Sequence, residues 1–239
     1  MSVKLNRKIG PVNQTRDSFR KIQAGKTDEE LSFIIGQQAA VGMQIDMLNS
    51  SLYGAAGALL SNAASHNTAT AATIKTSDLV TGLSLFGDAA DRVKVWVMHS
   101  KPYYDLVQSQ ISDKIFGVAN FAVAQGTPIT LNRPVLVTDS PALLVTGTPN
   151  TYLTLGLTDA GLIVENSEAE EMIFQDVTGN ENLSVRMQGE FAYNLGVKGF
   201  KWVIGSGANP TNAALATTAN WAASRASVKD FAGFVLTTN

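Results

Sequence analysis

The feature of this sequence that most constrains its fold is one long helical pattern that starts after Thr27. From Leu31 to Leu59, apolar and small residues recur at helical spacing, which predicts a helix of about 30 residues, or roughly 45 Å. Thr27 and Glu30 have the spacing of a capping box at its start. The pattern contains four glycines, at Gly36, Gly42, Gly54 and Gly57. Because a glycine in a helix interior costs up to about 1 kcal/mol relative to alanine, these glycines indicate close backbone packing or a bend.

The remainder of the chain changes from helical to strand patterns. A second helix over 79–90, a buried strand around Trp96 and a third helix from Ser100 follow the long helix. Beyond residue 117, β-rich runs bounded by turn residues predict strands at 133–138, 152–157, 162–164, 172–177, 183–190 and 191–204. Strands that follow the helices, rather than alternating with them, predict an α+β fold with a mixed or antiparallel sheet.

Charge is distributed unevenly along the chain. The formal net charge is −2, and residues 1–26 contain seven Lys and Arg against one Asp, so the rest of the chain carries about −8. A basic N-terminal arm on an acidic body predicts docking to nucleic acid or to an acidic neighbour. The arm has few aromatic residues besides Phe19 that could stack on bases, so we favour docking to a neighbour.

An acidic segment is the counterpart of this arm. It contains Glu165, Glu168, Glu170, Glu171, Asp176 and Glu181. Such carboxylates can act as acid and base, bind a divalent cation, dock on a neighbour or form a solvated surface. We favour a contact between subunits, and the candidate contact residues are Lys4, Arg7, Lys8, Glu165, Glu168, Glu170 and Glu171.

Sequence signatures of catalysis are few. The chain has no cysteine, which excludes disulfides, thiolate catalysis and cysteine-based zinc sites. The sequence contains no nucleotide-binding glycine motif, no H-E-x-x-H and no G-x-S-x-G. His99, at a predicted strand end, can act as a base with Asp139 or Asp105, but we favour a residue beside a helix cap. The sequence therefore predicts no enzyme, no cofactor and no metal site.

Targeting and membrane signals are also missing from the sequence. No apolar run reaches the 18 or so residues that a membrane span needs, and the N-terminus lacks the apolar region of a signal peptide. We therefore expect a soluble protein that is made in a cytoplasm.

Several segments together resemble one protein family. They are VKLNRKIGP at Val3–Pro11, QIDMLN at Gln44–Asn49, LFGDAADRVKVWVMHSKPYY at Leu85–Tyr104, RPVLVTDS at Arg133–Ser140, EFAYNLGVKGFKW at Glu190–Trp202, and Asn209–Trp221. This combination is similar to the major capsid proteins of tailed bacteriophages with the Hong Kong 97 type fold, also called the Johnson fold. The resemblance spans most of the chain.

The resemblance implies an α+β architecture with a long spine helix, a sheet in a peripheral (P) domain and a mixed α/β axial (A) domain. The implied regions are 1–26 as the end of the extended loop (E-loop) and N-terminal arm, 27–76 as the P domain with the spine helix, 77–160 as the A domain, 161–204 as P-domain strands, and 205–239 as a C-terminal segment that returns to the A domain. Family members usually carry a further N-terminal arm before the region that matches Val3. We therefore expect residues 1–20 to be ordered only against a neighbouring subunit, because a lone strand is poorly stable.

The same resemblance implies a coat protein that assembles as pentamers and hexamers into an icosahedral phage head around double-stranded DNA. The implied partners are further copies of the chain, scaffolding, portal and decoration proteins, and the packaged DNA without sequence specificity, but no membrane. Such a protein would be made in the host bacterial cytoplasm and would reside in the virion. The alternative is an encapsulin-like compartment shell, which shares the fold, and the second alternative is a soluble hydrolase that uses His99.

Overall fold

The computed structural model describes residues 2–23, 28–68, 73–115, 130–179 and 182–239. Its α-helices are α1 (Arg16–Gln23), α2 (Asp28–Leu60), α3 (Thr76–Ser84), α4 (Ser100–Ile115) and α5 (Asn212–Ala216). Its strands are β1 (Val3–Thr15), β2 (His66–Thr68), β3 (Val93–Met98), β4 (Val135–Val137), β5 (Leu144–Val145), β6 (Thr151–Thr158), β7 (Leu162–Val177), β8 (Ser184–Val197), β9 (Phe200–Trp202), β10 (Trp221–Ala223) and β11 (Gly233–Thr238). This mixture of helices and sheets confirms the predicted α+β class.

The long helix predicted from the sequence is confirmed as α2, which has 33 residues and a length of roughly 50 Å. It ends at Leu60, one residue beyond the predicted apolar pattern. The predicted N-cap, Thr27, lies outside the described residues.

The chain forms two units: unit 1 contains a six-stranded sheet and the two-stranded sheet β10-β9, and unit 2 contains a three-stranded sheet. Unit 1 comprises Asn49–Ile163 and Gly196–Asn239, and unit 2 comprises Val3–Leu48 and Val164–Leu195. The boundaries between the units fall inside α2, β7 and β8.

Unit 1 is built on a mixed sheet in the order β2-β11-β6-β3-β4, with β5 paired to β6. β11 and β3 each lie antiparallel to β6, while β2 and β4 run parallel to their neighbours. An apolar core covers this sheet, and its buried residues are Ile74, Leu79, Phe86, Val93, Trp96, Met98, Leu106, Phe234 and Leu236. At the centre of the core, Phe234 contacts Trp96 edge-on, with ring centroids 5.6 Å apart. The burial of these large side chains is the main stabilising contribution to unit 1.

Unit 2 contains a three-stranded sheet in the order β1-β8-β7. β1 lies antiparallel to β8 from the pair Val3–Leu195 to the pair Thr15–Ser184, with a register shift between Ile9 and Val12. Gly10 permits this irregularity because its φ of +78° is in the left-handed region, which favours glycine. The expectation that the N-terminal strand needs a neighbouring subunit to be ordered is wrong, since β8 of the same chain supplies its partner strand.

Two elements differ from the sequence prediction at glycines. The helix predicted over 79–90 ends at Ser84 as α3 and gives way to a 3₁₀ turn at Gly87–Arg92, where Gly87 has a φ of +53°. The strand predicted over 191–204 is the end of β8 followed by β9, and Gly199 with a φ of +82° lies in the turn between them. In both places a residue that readily adopts positive φ lets the backbone turn within an otherwise apolar run.

Candidate subunit-contact surface

The predicted contact residues lie in unit 2, on the two outer strands of its sheet. Lys4, Arg7 and Lys8 belong to β1, and the four glutamates belong to β7. Since β8 lies between β1 and β7, the sheet has one basic edge strand and one acidic edge strand. Edge strands carry backbone groups that can pair with another chain.

Two of the three basic residues bind acidic groups of the same chain. The Lys4 ammonium contacts the Glu168 carboxylate. The Arg7 Nε lies 3.3 Å from Asp46 Oδ2 on α2, and the Tyr193 hydroxyl donates a hydrogen bond of 3.0 Å to the same oxygen. Arg7 and Tyr193 therefore fix the side of α2 that faces this sheet, and Asp46 is a residue of this cluster that the sequence analysis missed.

The other predicted contact residues are exposed. Lys8 pairs in register with Glu190 of β8, and both side chains are exposed. Glu165, Glu170 and Glu171 are also exposed. Among the described residues, no ion pair involves Lys8, Glu165, Glu170 or Glu171. These four charged groups are therefore available to a further molecule.

Apolar side chains accompany the charges on β7. Ile173 and Phe174 are both more than half exposed, and as consecutive residues of a strand they point to opposite faces of the sheet. Next to Ile173, a groove on one face is lined by Glu171, Gln175, Arg186, Gln188 and Glu190. The strand predicted at 172–177 already contains these two residues, but their exposure follows only from the tertiary structure.

His99, the candidate catalytic base, lies between β3 and α4 in unit 1. Its Nδ1 is 3.4 Å from Ser100 Oγ and 3.5 Å from Asp139 Oδ1, and the Lys101 N–H donates to the same nitrogen. A serine-histidine-aspartate triad needs the nucleophile on Nε2 and the carboxylate on Nδ1. Here the Ser100 hydroxyl and the Asp139 carboxylate both lie close to Nδ1, so the arrangement does not activate Ser100 as a nucleophile.

The two carboxylates proposed as partners of His99 have other roles. Hydrogen bonds from the Ser100 hydroxyl and backbone N–H, and the nearby His99, hold the pKa of Asp139 below its usual value. Asp139 thereby accepts a bond from the N-terminus of α4. Asp105 forms an ion pair with Lys101 one helical turn away. These contacts agree with the interpretation of His99 as a residue beside a helix cap.

Neither a metal site nor a membrane-spanning helix is present in the described part of the chain. There, no group of three or more His, Asp or Glu side chains is arranged to hold a metal ion. Within the same residues, no helix is both long and apolar enough to cross a bilayer.

Comparisons with solved structures identify the fold. The chain aligns over its full length with 76% of a chain from the acidic stable capsid of Helicobacter pylori bacteriophage KHP30, at a TM-score of 0.53 and 9% identity. It also aligns over 99% of its length with 73% of the SrpI encapsulin of Synechococcus elongatus PCC 7942, at a TM-score of 0.50 and 11% identity. These likenesses confirm the predicted capsid fold, but a phage capsid and an encapsulin match about equally well.

The sequence comparison separates the two alternatives. No curated protein matches the chain. The profile of the Gp13-like family, described as major capsid protein 13-like, matches residues 1–235. The chain therefore belongs to the Gp13-like family of major capsid proteins.

Proposed function

We propose that copies of this chain assemble as pentamers and hexamers into an icosahedral phage head that encloses double-stranded DNA. The observation that carries this proposal is the family match over residues 1–235. Each subunit contact can be weak in such a shell, because closure makes every subunit bind several neighbours at once. Scaffolding, portal and decoration proteins are the further partners, the host cytoplasm is the site of synthesis, and the chain catalyses no reaction.

In this proposal α2 is the spine helix of the P domain, and the sheet of unit 2 belongs to the same domain. The mixed sheet of unit 1 forms the A domain around the five-fold and six-fold axes. The domain boundaries predicted from the sequence stay predictions. Support for the assignment comes from the long helix and from the separate sheets of the two units.

The charged edge strands of unit 2 supply one of the subunit contacts. Lys8 on β1 docks on the acidic strand β7 of a neighbour, where Glu165, Glu170 and Glu171 are exposed. The opposite charges of the two edges support this pairing, because opposite charges across an interface favour the correct partner and register. Lys4 and Arg7 contribute less to it, since each already binds an acidic group of its own chain.

Reversal of the charge at Lys8 tests this contact. Lys8→Glu removes an attraction of about 0.5 kcal/mol and adds a repulsion at every copy of the contact, so we expect fewer particles from a folded subunit. Negative-stain microscopy and sedimentation velocity measure the particle yield. Lys94→Glu is the matched control, because Lys94 is an exposed strand lysine of unit 1 and makes the same change in net charge.

The reciprocal variant makes the test specific. Adding Glu170→Lys and Glu171→Lys to Lys8→Glu restores opposite charges and should restore the particle yield. Normal assembly of the Lys8→Glu variant would refute this contact while leaving the coat-protein proposal intact. If the unsubstituted protein forms no particles under any assembly condition, the proposal of a self-assembling shell itself is wrong.

A further inference from the structure

The N-terminal half of α2 has an apolar stripe on its outer face. Val41 and Ile45 are each 54% exposed and Leu48 is 37% exposed. Ile34 and the polar Gln38 lie on the same face towards the N-terminus. The five residues follow one another at alternating steps of four and three, at Ile34, Gln38, Val41, Ile45 and Leu48. Steps of four and three are the spacing of a helix seam that packs against another helix.

The charge distribution of α2 is the reverse of that of an ordinary surface helix. A surface helix usually buries its apolar face and presents charges to water. Between Leu31 and Leu60 the only charged residue is Asp46, and it is directed at the sheet of unit 2, where it meets Arg7 and Tyr193. The outer face thus carries the aliphatic side chains without a charge to solvate them, which is typical of a surface that another protein covers.

The residues beside the stripe also fit a close helix partner. The flanking positions are Ile35, Gln37, Gly42 and Gln44, and none of them is charged. A Cβ built on Gly42 would meet no described atom within 4 Å, so packing within the described part of the chain does not require glycine there. Glycine destabilises a helix interior, but at Gly42 it leaves room for the close approach of a second backbone.

The chemistry of the stripe favours an identical partner. Charged flanking positions select a different partner in helix pairs, by attraction or by repulsion. An uncharged seam has no such selectivity, so it can pack against the same seam of a second copy. A two-fold axis between identical subunits places the two seams opposite each other. Resting on the proposed shell assembly, we infer that this stripe of α2 packs against the same stripe of a second copy.

The direction of the pairing follows from the ends of the helix. Glu30 lies exposed in the first turn of the helix, and a parallel pair would bring its two copies together. An antiparallel pair separates these residues and aligns the helix dipoles favourably. In that arrangement Val41 of one copy contacts Ile45 of the other, and Gln38 contacts Leu48, on each side of the two-fold axis.

Disulfide trapping tests the pairing with little interference, since the chain has no native cysteine. Val41→Cys and Ile45→Cys are made as separate variants and co-assembled into particles, which are then oxidised. A disulfide needs Cα atoms roughly 4.4–6.8 Å apart. We expect the subunit band to shift from monomer to dimer on a non-reducing gel when the two variants are mixed, and to stay largely monomeric when either variant assembles alone.

Val80→Cys is the matched control, because Val80 is a helix valine of unit 1 with a similar exposure of 52%. Circular dichroism and particle yield establish that each variant folds and assembles. If the mixed particles contain no more dimer than the Val80→Cys particles, the pairing is wrong although the shell proposal stands. If each variant cross-links strongly with itself, the antiparallel arrangement is wrong. Failure of the unsubstituted protein to form particles would instead refute the shell proposal.

Discussion

The two halves of α2 have the same helical backbone but different surroundings. From Ser50 to Leu59, in unit 1, every residue except Tyr53 is buried. From Phe33 to Leu48, in unit 2, no residue is buried. One half is therefore a core helix in the usual sense, while the other half leaves most of its surface uncovered by the described chain.

The glycines show the same contrast at atomic scale. A Cβ added to Gly57 would lie 2.2 Å from the Leu215 carbonyl oxygen, so the backbone of the C-terminal half is in direct contact with another segment of unit 1. Added Cβ atoms at Gly36 and Gly42 would meet no described atom within 4 Å. The C-terminal half of the helix is therefore packed in the core of unit 1, whereas the N-terminal half leaves the exposed side chains that the proposed contact between subunits requires.

The largest difference should appear in a pair of leucine substitutions. Leu52 is 1% exposed, and Leu52→Ala should lower the free energy of unfolding by about 3 kcal/mol, because it leaves a cavity in a packed core. Leu48→Ala, four residues earlier on the same helix, should lower it by less than about 1 kcal/mol. Urea unfolding of unassembled subunits measures both values. Equal losses of unfolding free energy in the two variants would show that both halves of α2 contribute equally to the stability of the subunit.

Substitution of glycine by alanine should destabilise the subunit in the C-terminal half of α2 and stabilise it in the N-terminal half. Gly57→Ala forces its Cβ against the Leu215 carbonyl, so we expect a loss of about 2 kcal/mol from overpacking. Gly42→Ala should raise the free energy of unfolding by up to about 1 kcal/mol, because alanine favours the helix and has room there. Urea unfolding of unassembled subunits measures both changes in the free energy of unfolding. If Gly42→Ala lowers this free energy, the isolated subunit itself needs glycine at this position.

The extent of α2 could be predicted from the sequence because its information is local. The repeat of apolar residues at helical spacing extends from Leu31 to Leu59, and the helix ends at Leu60. The strand around Trp96 and the start of α4 at Ser100 were predicted for the same reason. The identical apolar pattern continues through both halves of α2, however, so the sequence did not indicate which half the chain would bury.

The partners of strands and of ion pairs could not be predicted from the sequence, because the paired residues are distant along the chain. β1 pairs with β8 across more than 150 residues, and no local pattern selects that partner over a strand of a neighbouring subunit. The attraction between Lys4 and Glu168 likewise has the same charge signature within one chain as between two chains. The predicted contact residues therefore stay predictions, with Lys8 and the exposed glutamates as the ones that the structure leaves available.

The smallest of these effects concerns how the exposed half of α2 is held. Its anchor in unit 2 is polar, since the Tyr193 hydroxyl donates to Asp46, which also lies beside Arg7. Tyr193→Phe keeps the buried ring and removes one hydrogen bond to a carboxylate that retains Arg7, so unfolding should become easier by about 1 kcal/mol. Tyr104→Phe is the control, because Tyr104 is 66% exposed and should change stability little. If Tyr193→Phe has no effect while Asp46→Asn does, the anchor depends on the Arg7 ion pair rather than on the tyrosine. A full loss of folding in Tyr193→Phe would contradict the contrast, since unit 1 contains the larger apolar core.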